Sequence, residues 1–328
     1  MKLLKRFGIL LLALLCALPL FSSCQKETEE EETVYYTVTF NSNGGSAVEK
    51  QIVAAEEAVL EPTPPTREGY VFEGWRKDTT GSFWDFDAEF VTSDMTLTAS
   101  WIGAERIFGY ETLPEGGAMI TSLKQPYEAL DIPSIIAGYT VTAIGDGVFS
   151  GLSFKKVQSI KLPHTITSVG EEAFYQCRDI SIVFDPRAEL TEIGESAFFE
   201  CNLLASVRLG EGLTEIAPWT FFKCSSLREI RLPKSVVSVS DSAFANCTSL
   251  RSIMLHPAIS EIQDAAFDHC TSLSVLYFYG TQNELNLLLA NTAAQNDAFY
   301  DATVYFYSES ERSGNYWYLD ANNNPQCW

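Results

Sequence analysis

The sequence predicts a mainly β protein with short helical or irregular segments, in which stacked repeats form a solenoid behind a small N-terminal β domain. A phrase ending in cysteine recurs at a nearly fixed interval, and short runs of alternating apolar and polar residues recur between these phrases. Fixed intervals in this range are typical of repeat architectures. The first hundred residues lack the recurring phrase, so we expect them to form separate segments.

The recurring cysteines are separated by 24, 23, 23 and 23 residues. Each lies three residues after a phenylalanine, and a β-branched residue lies five residues before that phenylalanine. Each unit can bury its apolar side only against its neighbours, so the units must stack. The cysteines are Cys177, Cys201, Cys224, Cys247 and Cys270.

Short alternating segments after these phrases predict the strands of a parallel sheet. In Ile230-Arg231-Leu232 the apolar residues point inward and the arginine points outward. At about 4.8 Å per strand, the first seven such strands make one continuous sheet roughly 30 Å long. The other strands are expected at 130–132, 160–162, 182–184, 207–209, 253–255 and 276–278, with a final one at 304–306.

The repeat cysteines are predicted to be buried free thiols beside a spine of phenylalanines. A disulfide is the alternative, because adjacent rungs lie within its reach. However, equivalent side chains in a stack point the same way, and Cys327 lies outside the register. No pair has C-x2-C spacing and the chain has 3 histidines, so we expect no metal and no cofactor. A hydroxyl in place of the Cys224 thiol is expected to find no partner.

The phrase at residues 193–201, Ile-Gly-Glu-Ser-Ala-Phe-Phe-Glu-Cys, resembles the BspA-like (Treponema pallidum-type) leucine-rich repeat. Ile216-Ala217-Pro218 departs from the pattern, which usually has glycine after the isoleucine. The resemblance runs from about residue 105 to the C-terminus. It implies a leucine-rich-repeat solenoid over residues 103–300 and a C-terminal cap over 301–328.

Residues 1–23 are predicted to be an export signal. A basic start precedes the apolar run from Ile9 to Leu20, which is too short to span a membrane. The ending Ser22-Ser23-Cys24 resembles a lipobox, in which Cys24 becomes the acylated first residue; a plain secretory signal is the alternative. This interpretation places the protein outside the cytoplasm, anchored by lipid to the outer membrane and facing the exterior.

The glutamate-rich residues 24–33 are predicted to be a flexible tether, because a block of like charge stays solvated. They also resemble the surface-export signal of Bacteroidota lipoproteins. Residues 34–102 are predicted to be a separate domain, with strands at 38–40 and 70–75. The phrase at 65–75 resembles the Listeria–Bacteroides repeat, also called the internalin B-repeat. That resemblance implies a small β-grasp fold, with one copy favouring a spacer over an independent binding module.

The search for catalytic motifs predicts that the protein is not an enzyme. The sequence has no G-x-S-x-G, P-loop or H-E-x-x-H motif. Glu192, Glu215 and Glu261 occupy one repeat position, which indicates a solvated ladder rather than a catalytic pair. The net charge of −21 argues against nucleic acid or anionic lipid as a partner.

The outward strand positions form the candidate binding site, on the face that solenoid curvature is expected to make concave. Arginine, tyrosine and methionine are enriched in interface cores, and concave solenoid faces bind extended partners. The neighbouring arginines 208 and 231 repel each other. The alternative to a binding site is that these two arginines are stabilised by pairing with Glu229 or another acidic neighbour. The candidate ligand-binding residues are Lys161, Arg208, Arg231, Met254, Tyr277 and Tyr305.

Residues 282–294 are predicted to form a helix that places Leu285, Leu288 and Leu289 on one face as a lid over the last repeat. The aromatic residues of the C-terminal tail are expected to finish this cap. A glycan site on these rings is the alternative, because aromatic side chains stack on sugars.

These observations predict a surface-anchored, non-enzymatic binding protein. Some BspA-like relatives bind extracellular-matrix proteins, so the resemblance implies adhesion to a macromolecular ligand such as an extracellular-matrix protein. Membrane contact is expected only through the lipid. Two alternatives stay open: a glycan-binding lipoprotein of a polysaccharide-uptake system, and a structural scaffold of the cell envelope.

The Cys24→Ala variant is expected to leave the membrane or to fail to mature, because the acyl chains have no attachment site. Detergent-phase partitioning of the expressed protein measures this. Cys16→Ala is the matched control, since Leu15 precedes that cysteine in place of the small residues before Cys24. Unchanged partitioning of the Cys24 variant contradicts the anchor.

Overall fold

The computed structural model describes residues 33–125, 129–152 and 157–328. The predicted signal segment, Cys24 and nearly all of the tether lie outside the described residues. The prediction of a mainly β chain is confirmed: strands dominate the described residues, with short helices between some of them.

Residues 33–103, here called the N-terminal module, form a four-stranded sheet. The strand order is β2-β1-β4-β3, with the central pair β1 and β4 parallel and the outer strands antiparallel, as the predicted β-grasp fold requires. Alternation buries Val38 and Phe40 against Trp75 and Leu97 on one face of the sheet. The strands are β1 (Tyr35–Asn41), β2 (Gln51–Ala54), β3 (Tyr70–Lys77) and β4 (Met95–Gly103).

The N-terminal module is joined directly to the solenoid. Strand β4 runs into helix α1 (Ala104–Ile107), which leads to the antiparallel hairpin of β5 (Phe108–Thr112) and β6 (Ala118–Leu123). The Ala104 N–H donates to the Gly69 carbonyl at 3.0 Å, and Val71 packs into the hydrophobic core of the solenoid. Val71 therefore anchors the module on the solenoid core, while the module keeps a separate core of its own.

The remaining strands and helices belong to the solenoid and its C-terminal end. Up to residue 193 the strands are β7 (Ala129–Asp131), β8 (Ile135–Ile136), β9 (Tyr139–Ile144), β10 (Ser159–Leu162), β11 (Ser168–Val169), β12 (Ser181–Phe184) and β13 (Glu192–Ile193). Next come β14 (Glu215–Ile216), β15 (Glu229–Arg231), β16 (Ser238–Val239), β17 (Ser252–Leu255), β18 (Glu261–Ile262) and β19 (Val275–Phe278). The last elements are α2 (Gln282–Ala290), α3 (Asp297–Asp301), β20 (Thr303–Tyr307), β21 (Tyr316–Leu319) and β22 (Pro325–Cys327).

The strands stack in two ladders. The front ladder holds the predicted strands: β7, β10 and β12 form one parallel sheet, and β15, β17, β19 and β20 form another that continues into β21 and β22. The side ladder contains β9, β11 and β13, then β14, β16 and β18, which the β-branched positions of the repeats supply. Both ladders are interrupted between the repeats that contain Phe198 and Phe221.

The prediction of one continuous front sheet with a strand at 207–209 is wrong. In this repeat the Leu190 N–H donates to the Arg208 carbonyl at 3.1 Å, and the Gly210 N–H donates to the Leu190 carbonyl at 2.7 Å. The segment therefore pairs with the turn after β12 instead of with β12 itself. Gly212 permits this approach, because a Cβ there would lie 2.6 Å from the Cβ of Thr191.

A column of phenylalanine turns crosses the interruption without a gap. Successive rings stack with centroids 5.2–5.5 Å apart. Main-chain bonds between turns accompany the rings: at the interruption Phe198 N–H donates to the Thr220 carbonyl at 2.9 Å, and Glu200 N–H donates to the Phe222 carbonyl at 2.7 Å. The stacked rings belong to Phe149, Phe174, Phe198, Phe221, Phe244, Phe267 and Phe299.

The prediction that the repeat cysteines are buried free thiols is confirmed. Each thiol donates to the carbonyl of the phenylalanine in the preceding turn, at 3.1–3.2 Å. Burial raises the pKa of Cys177 and of Cys270 to about 12. The expectation that a hydroxyl at position 224 lacks a partner is wrong, because the Phe198 carbonyl lies 3.2 Å from that sulfur.

Helix α2 confirms the predicted helix, although it ends at Ala290 rather than at residue 294. The Thr281 hydroxyl and the Glu284 carboxylate form a capping box at its start. Leu285 and Leu288 are buried in the solenoid core, as expected for a lid. After the helix the chain resumes the repeat pattern, since Phe299 stacks on Phe267 at 5.2 Å.

A thiol reagent at pH 8 is expected to modify Cys327 quickly and the five repeat cysteines only after denaturation. Cys327 is exposed, whereas burial holds the repeat thiols protonated and out of reach. Mass spectrometry of labelled peptides identifies the modified sites. A disulfide between two repeat cysteines, or rapid labelling of any of them, contradicts this arrangement.

The Cys224→Ser variant is expected to unfold with a free energy only about 1 kcal/mol lower than that of the wild-type protein. A serine hydroxyl can donate to the Phe198 carbonyl and so avoids the full cost of burial without a partner. Urea denaturation followed by circular dichroism gives the difference. Cys327→Ser is the control and should leave the denaturation midpoint unchanged. A loss of about 3 kcal/mol or more in the free energy of unfolding of the Cys224→Ser variant, on the order of the cost of an unpartnered hydroxyl and a cavity together, contradicts a hydrogen bond from the serine to the Phe198 carbonyl.

Candidate ligand-binding groove on the front face

The structure places the predicted binding residues at outward positions of the front ladder or its interruption. Lys161 lies beside Asp131, and Met254 lies between Arg231 and Tyr277 in the strand register. Lys161 and Arg208 are exposed, whereas Arg231, Tyr277 and Tyr305 are half-buried. Met254 is only 6% exposed. The residues thus share a face but not an accessible surface.

The C-terminal hairpin, formed by β21 and β22, covers one half of this face. Arg231 donates from Nη1 to the Asn323 carbonyl at 2.5 Å and from Nη2 to Asn324 Oδ1 at 3.5 Å. Trp317 is fully buried, with its ring 5.3 Å from that of Tyr277 and 4.8 Å from that of Tyr279. The hairpin therefore folds back from the end of the solenoid as far as β15.

The expectation that the outward residues form one accessible binding site is accordingly wrong. It fails because alternation places a side chain outward but cannot show that a segment many residues away covers it. The alternative that the two arginines pair with Glu229 or another acidic neighbour holds for Arg208, through Glu189, but not for Arg231. Arg208 donates to Glu189 Oε1 and to the Pro186 carbonyl, each at 2.7 Å, while Arg231 holds the hairpin.

The aromatic residues of the tail pack mainly on one another. Tyr318 and Trp328 stack with centroids 4.2 Å apart, and the Trp328 Nε1–H donates to the Ser308 carbonyl at 3.1 Å. Burial raises the pKa of Tyr277 and of Tyr279 above the usual range. These contacts indicate that the aromatic rings of the tail pack together to form the C-terminal cap.

The other half of the front face is open and forms what we call the groove. Its floor carries Lys161, Val183, which is 47% exposed, and Arg208. The N-terminal module stands at one end of the floor and the C-terminal hairpin at the other. Between the module and the first repeats lies a cleft of about 510 Å³. The cleft is lined by Tyr70, Phe72 and Trp101 from the module and by Asp131, Lys161 and Arg187 from the solenoid.

Oppositely charged side chains alternate along the groove. Lys161 Nζ lies 3.4 Å from Asp131 Oδ1, and Arg187 Nη2 lies 2.8 Å from Asp185 Oδ2. The hydrogen bonds from Arg187 hold the pKa of Asp185 well below its usual range. His164 extends this row, with Nδ1 3.4 Å from Arg187 Nη2. The groove thus presents donors and acceptors side by side rather than a single sign of charge.

No group of three or more His, Cys, Asp or Glu side chains suited to a metal lies among the described residues. Glu192, Glu215 and Glu261 are exposed along the side ladder, as predicted. In the part of the chain that the structure describes, no helix has the length and apolar character needed to cross a membrane.

Sequence reasoning missed the module's contribution to the groove. Arg67 and Tyr70 lie in the phrase at 65–75 that carries the module's family resemblance, so the sequence indicates a role in the fold for them, and Trp101 lies at the end of the predicted domain. Only the packing of the module against the solenoid brings them opposite Lys161 and Arg187. The one available signal was the short connection between the two parts, which limits their separation.

Comparison with known proteins covers both parts of the chain. Residues 36–100 match the Listeria-Bacteroides repeat domain. Similar proteins include a "Putative Gly-rich membrane protein" of Evansella cellulosilytica, 34% identical over 29% of this chain, and "Internalin H" of Listeria monocytogenes, 32% identical over 36% of this chain. The matched parts span only 11% and 22% of those two relatives.

Two solved structures are similar to this chain over part of its length. The T. pallidum leucine-rich repeat protein is 28% identical with a TM-score of 0.46, over 52% of this chain and 79% of that one. A leucine-rich cell surface protein from Faecalibacterium prausnitzii is 24% identical with a TM-score of 0.51, over 67% of this chain and 58% of that one. The second likeness supports the fold alone.

The repeats themselves give the assignment. The profile of the BspA type leucine rich repeat region matches six copies, at residues 125–217 and 179–301, which is more than half of the chain. The stacked turns, the two strand ladders and this match agree on the architecture. The chain therefore belongs to the family of BspA-type leucine-rich repeat proteins and carries a Listeria-Bacteroides repeat domain in front of them.

Proposed function

We propose that the protein is a non-enzymatic adhesion protein of the cell surface that binds an extracellular protein across the groove. The observation that carries this proposal is the open floor of Lys161, Val183 and Arg208 between two walls, on the face where the strands present their outward side chains. BspA-type repeats and an internalin among the relatives support protein–protein interaction as the general activity.

The dimensions of the groove favour an extended segment of the ligand over a broad flat surface. The open floor spans about three rungs, or roughly 15 Å at 4.8 Å per rung. A single extended chain or a hairpin fits this width between the module and the C-terminal hairpin. Exposed arginine and lysine beside an exposed valine give such a segment both charged and apolar contacts.

The position at the cell surface is part of the same proposal. Lipid at Cys24 would hold the chain on the outer membrane, and the acidic residues 24–33 would act as a tether. Ten residues reach about 35 Å when fully extended. The N-terminal module then serves as a spacer and also as one wall of the groove. Relatives named as membrane proteins and as an internalin support a cell-surface location.

Extracellular-matrix proteins are the ligand class that we put first, with fibronectin, fibrinogen, laminin and collagen as probes. The Lys161→Glu/Arg208→Glu double variant is expected to lower the affinity for the bound probe at least about tenfold, because charge reversal replaces attraction by repulsion. Binding of the wild-type protein should weaken as salt rises. Biolayer interferometry measures both effects. Arg231 is left intact because it holds the C-terminal hairpin.

The control is Lys50→Glu/Arg106→Glu, which makes the same change in charge at exposed positions away from the groove. It should keep full affinity, and both double variants should keep a thermal midpoint near that of the wild-type protein. Full affinity in the groove variant removes the groove as the site. The absence of binding to every probe by the wild-type protein contradicts matrix adhesion and leaves the scaffold role as the better account.

A further inference from the structure

We propose that the cleft between the N-terminal module and the first repeats is a second binding site, for a neutral sugar residue. The cleft shares Lys161 and Val183 with the floor of the groove but lies against the N-terminal module, and its proposed ligand does not depend on the ligand proposed for the groove. The cleft volume of about 510 Å³ falls within the range of small-molecule sites and accommodates one or two pyranose rings.

The wall on the module side is aromatic and held in place. The Trp101 Nε1–H donates to the Ser42 carbonyl at 3.0 Å, and Phe72 meets the Trp101 ring edge to face at 5.5 Å. The Arg67 guanidinium lies 4.1 Å above the Tyr70 ring, which is 40% exposed. Gly45 is required behind the tryptophan, because a Cβ there would lie 2.5 Å from its ring. Rings fixed in this way form an apolar surface for the C–H face of a sugar.

The opposite wall offers hydrogen-bond donors and acceptors in adjacent pairs. Asp131 and Lys161 lie 3.4 Å apart, and Asp185 and Arg187 lie 2.8 Å apart, with His164 beside the arginine. A sugar hydroxyl both donates and accepts, so two neighbouring hydroxyls match a carboxylate next to an ammonium or guanidinium group. Charge-assisted bonds of this kind are stronger than those between neutral groups.

The balance of charge favours a neutral ligand over an anionic one. Arg67, Lys161 and Arg187 line the cleft together with Glu68, Asp131 and Asp185, so the charges offset one another. In a chain of net charge −21 this leaves no attraction for a phosphate, sulfate or uronic acid group. A sugar without charge loses nothing by entering such a site.

The lining also disfavours a peptide in the cleft. Prolines lack the N–H group with which an extended peptide would pair. Four of them line the cleft from both walls, which leaves side chains as its main hydrogen-bonding groups. The prolines are Pro65, Pro133, Pro163 and Pro186.

The two walls are fixed relative to each other by packing at the junction. Val71, on the strand that also carries Tyr70 and Phe72, is 2% exposed and lies within the solenoid core. The bond from Ala104 N–H to the Gly69 carbonyl holds the start of the same strand. The cleft is therefore preformed, which reduces the entropy lost when a ligand binds.

The test uses the full mature chain on a printed array of neutral, sialylated and sulfated oligosaccharides and on a peptide array. Binding to neutral glycans is expected, and titration calorimetry with the best free oligosaccharide should give the same affinity at 50 and at 500 mM NaCl. Binding only to charged glycans or only to peptides overturns the proposal. So does the absence of any bound neutral glycan.

Variants locate the site. Tyr70→Ala and the isosteric Asp131→Asn should each weaken the oligosaccharide at least tenfold, whereas Tyr35→Ala, at a tyrosine of the same module that is 62% exposed and outside the cleft, should not. Arg208→Glu should keep sugar binding, because Arg208 does not line the cleft. If the Arg208→Glu variant loses protein binding but keeps sugar binding, the two proposals are distinguished from each other. Full sugar affinity in folded Tyr70→Ala and Asp131→Asn variants overturns the cleft as the site.

Discussion

The stacking of the phenylalanine turns is the interaction on which the rest of the structure depends. Every step of the column from Phe149 to Phe267 combines stacked rings, main-chain bonds between turns and a thiol bonded to the preceding turn. The last step, to Phe299, keeps the stacked rings. Where both strand ladders are interrupted, this column alone remains regular. The solenoid therefore keeps its register across residues 207–217, although the sheets on either side do not meet.

The turns require a strained backbone, which shows how strongly the column constrains the sequence. Glu172 and Gln176 adopt positive φ angles of 51° and 58°, and the same two positions repeat this conformation in later turns. In the first turn Gly147 and Gly151 occupy them. A left-handed non-glycine residue costs about 1–2 kcal/mol. The bonds from Glu172 N–H and Gln176 N–H to carbonyls of the next turn offset that cost.

The sequence predicts the periodic features well because each follows from local spacing. The buried thiols, the outward side of Lys161 and the helix after Thr281 all depend on neighbours within one or two repeats. The interruption at Arg208 was not predictable from alternation, since Val207-Arg208-Leu209 has the pattern of a strand. It arises from the close approach that Gly212 permits. Half of the candidate site was mispredicted for a related reason: no local pattern shows that Asn323 reaches Arg231.

Both boundaries of the groove come from the ends of the solenoid. A stack of repeats exposes apolar surface at its two terminal units, and these need covers. Here the N-terminal module shares its Val71 with the core at one end, and the hairpin buries Trp317 at the other. Each of these two covers also extends over part of the front face. The segments that close the core therefore also determine which strands of the front ladder are accessible to a ligand. The length of the binding surface is thus set by how the termini are capped, and a relative with the same repeats but different ends would present a different site.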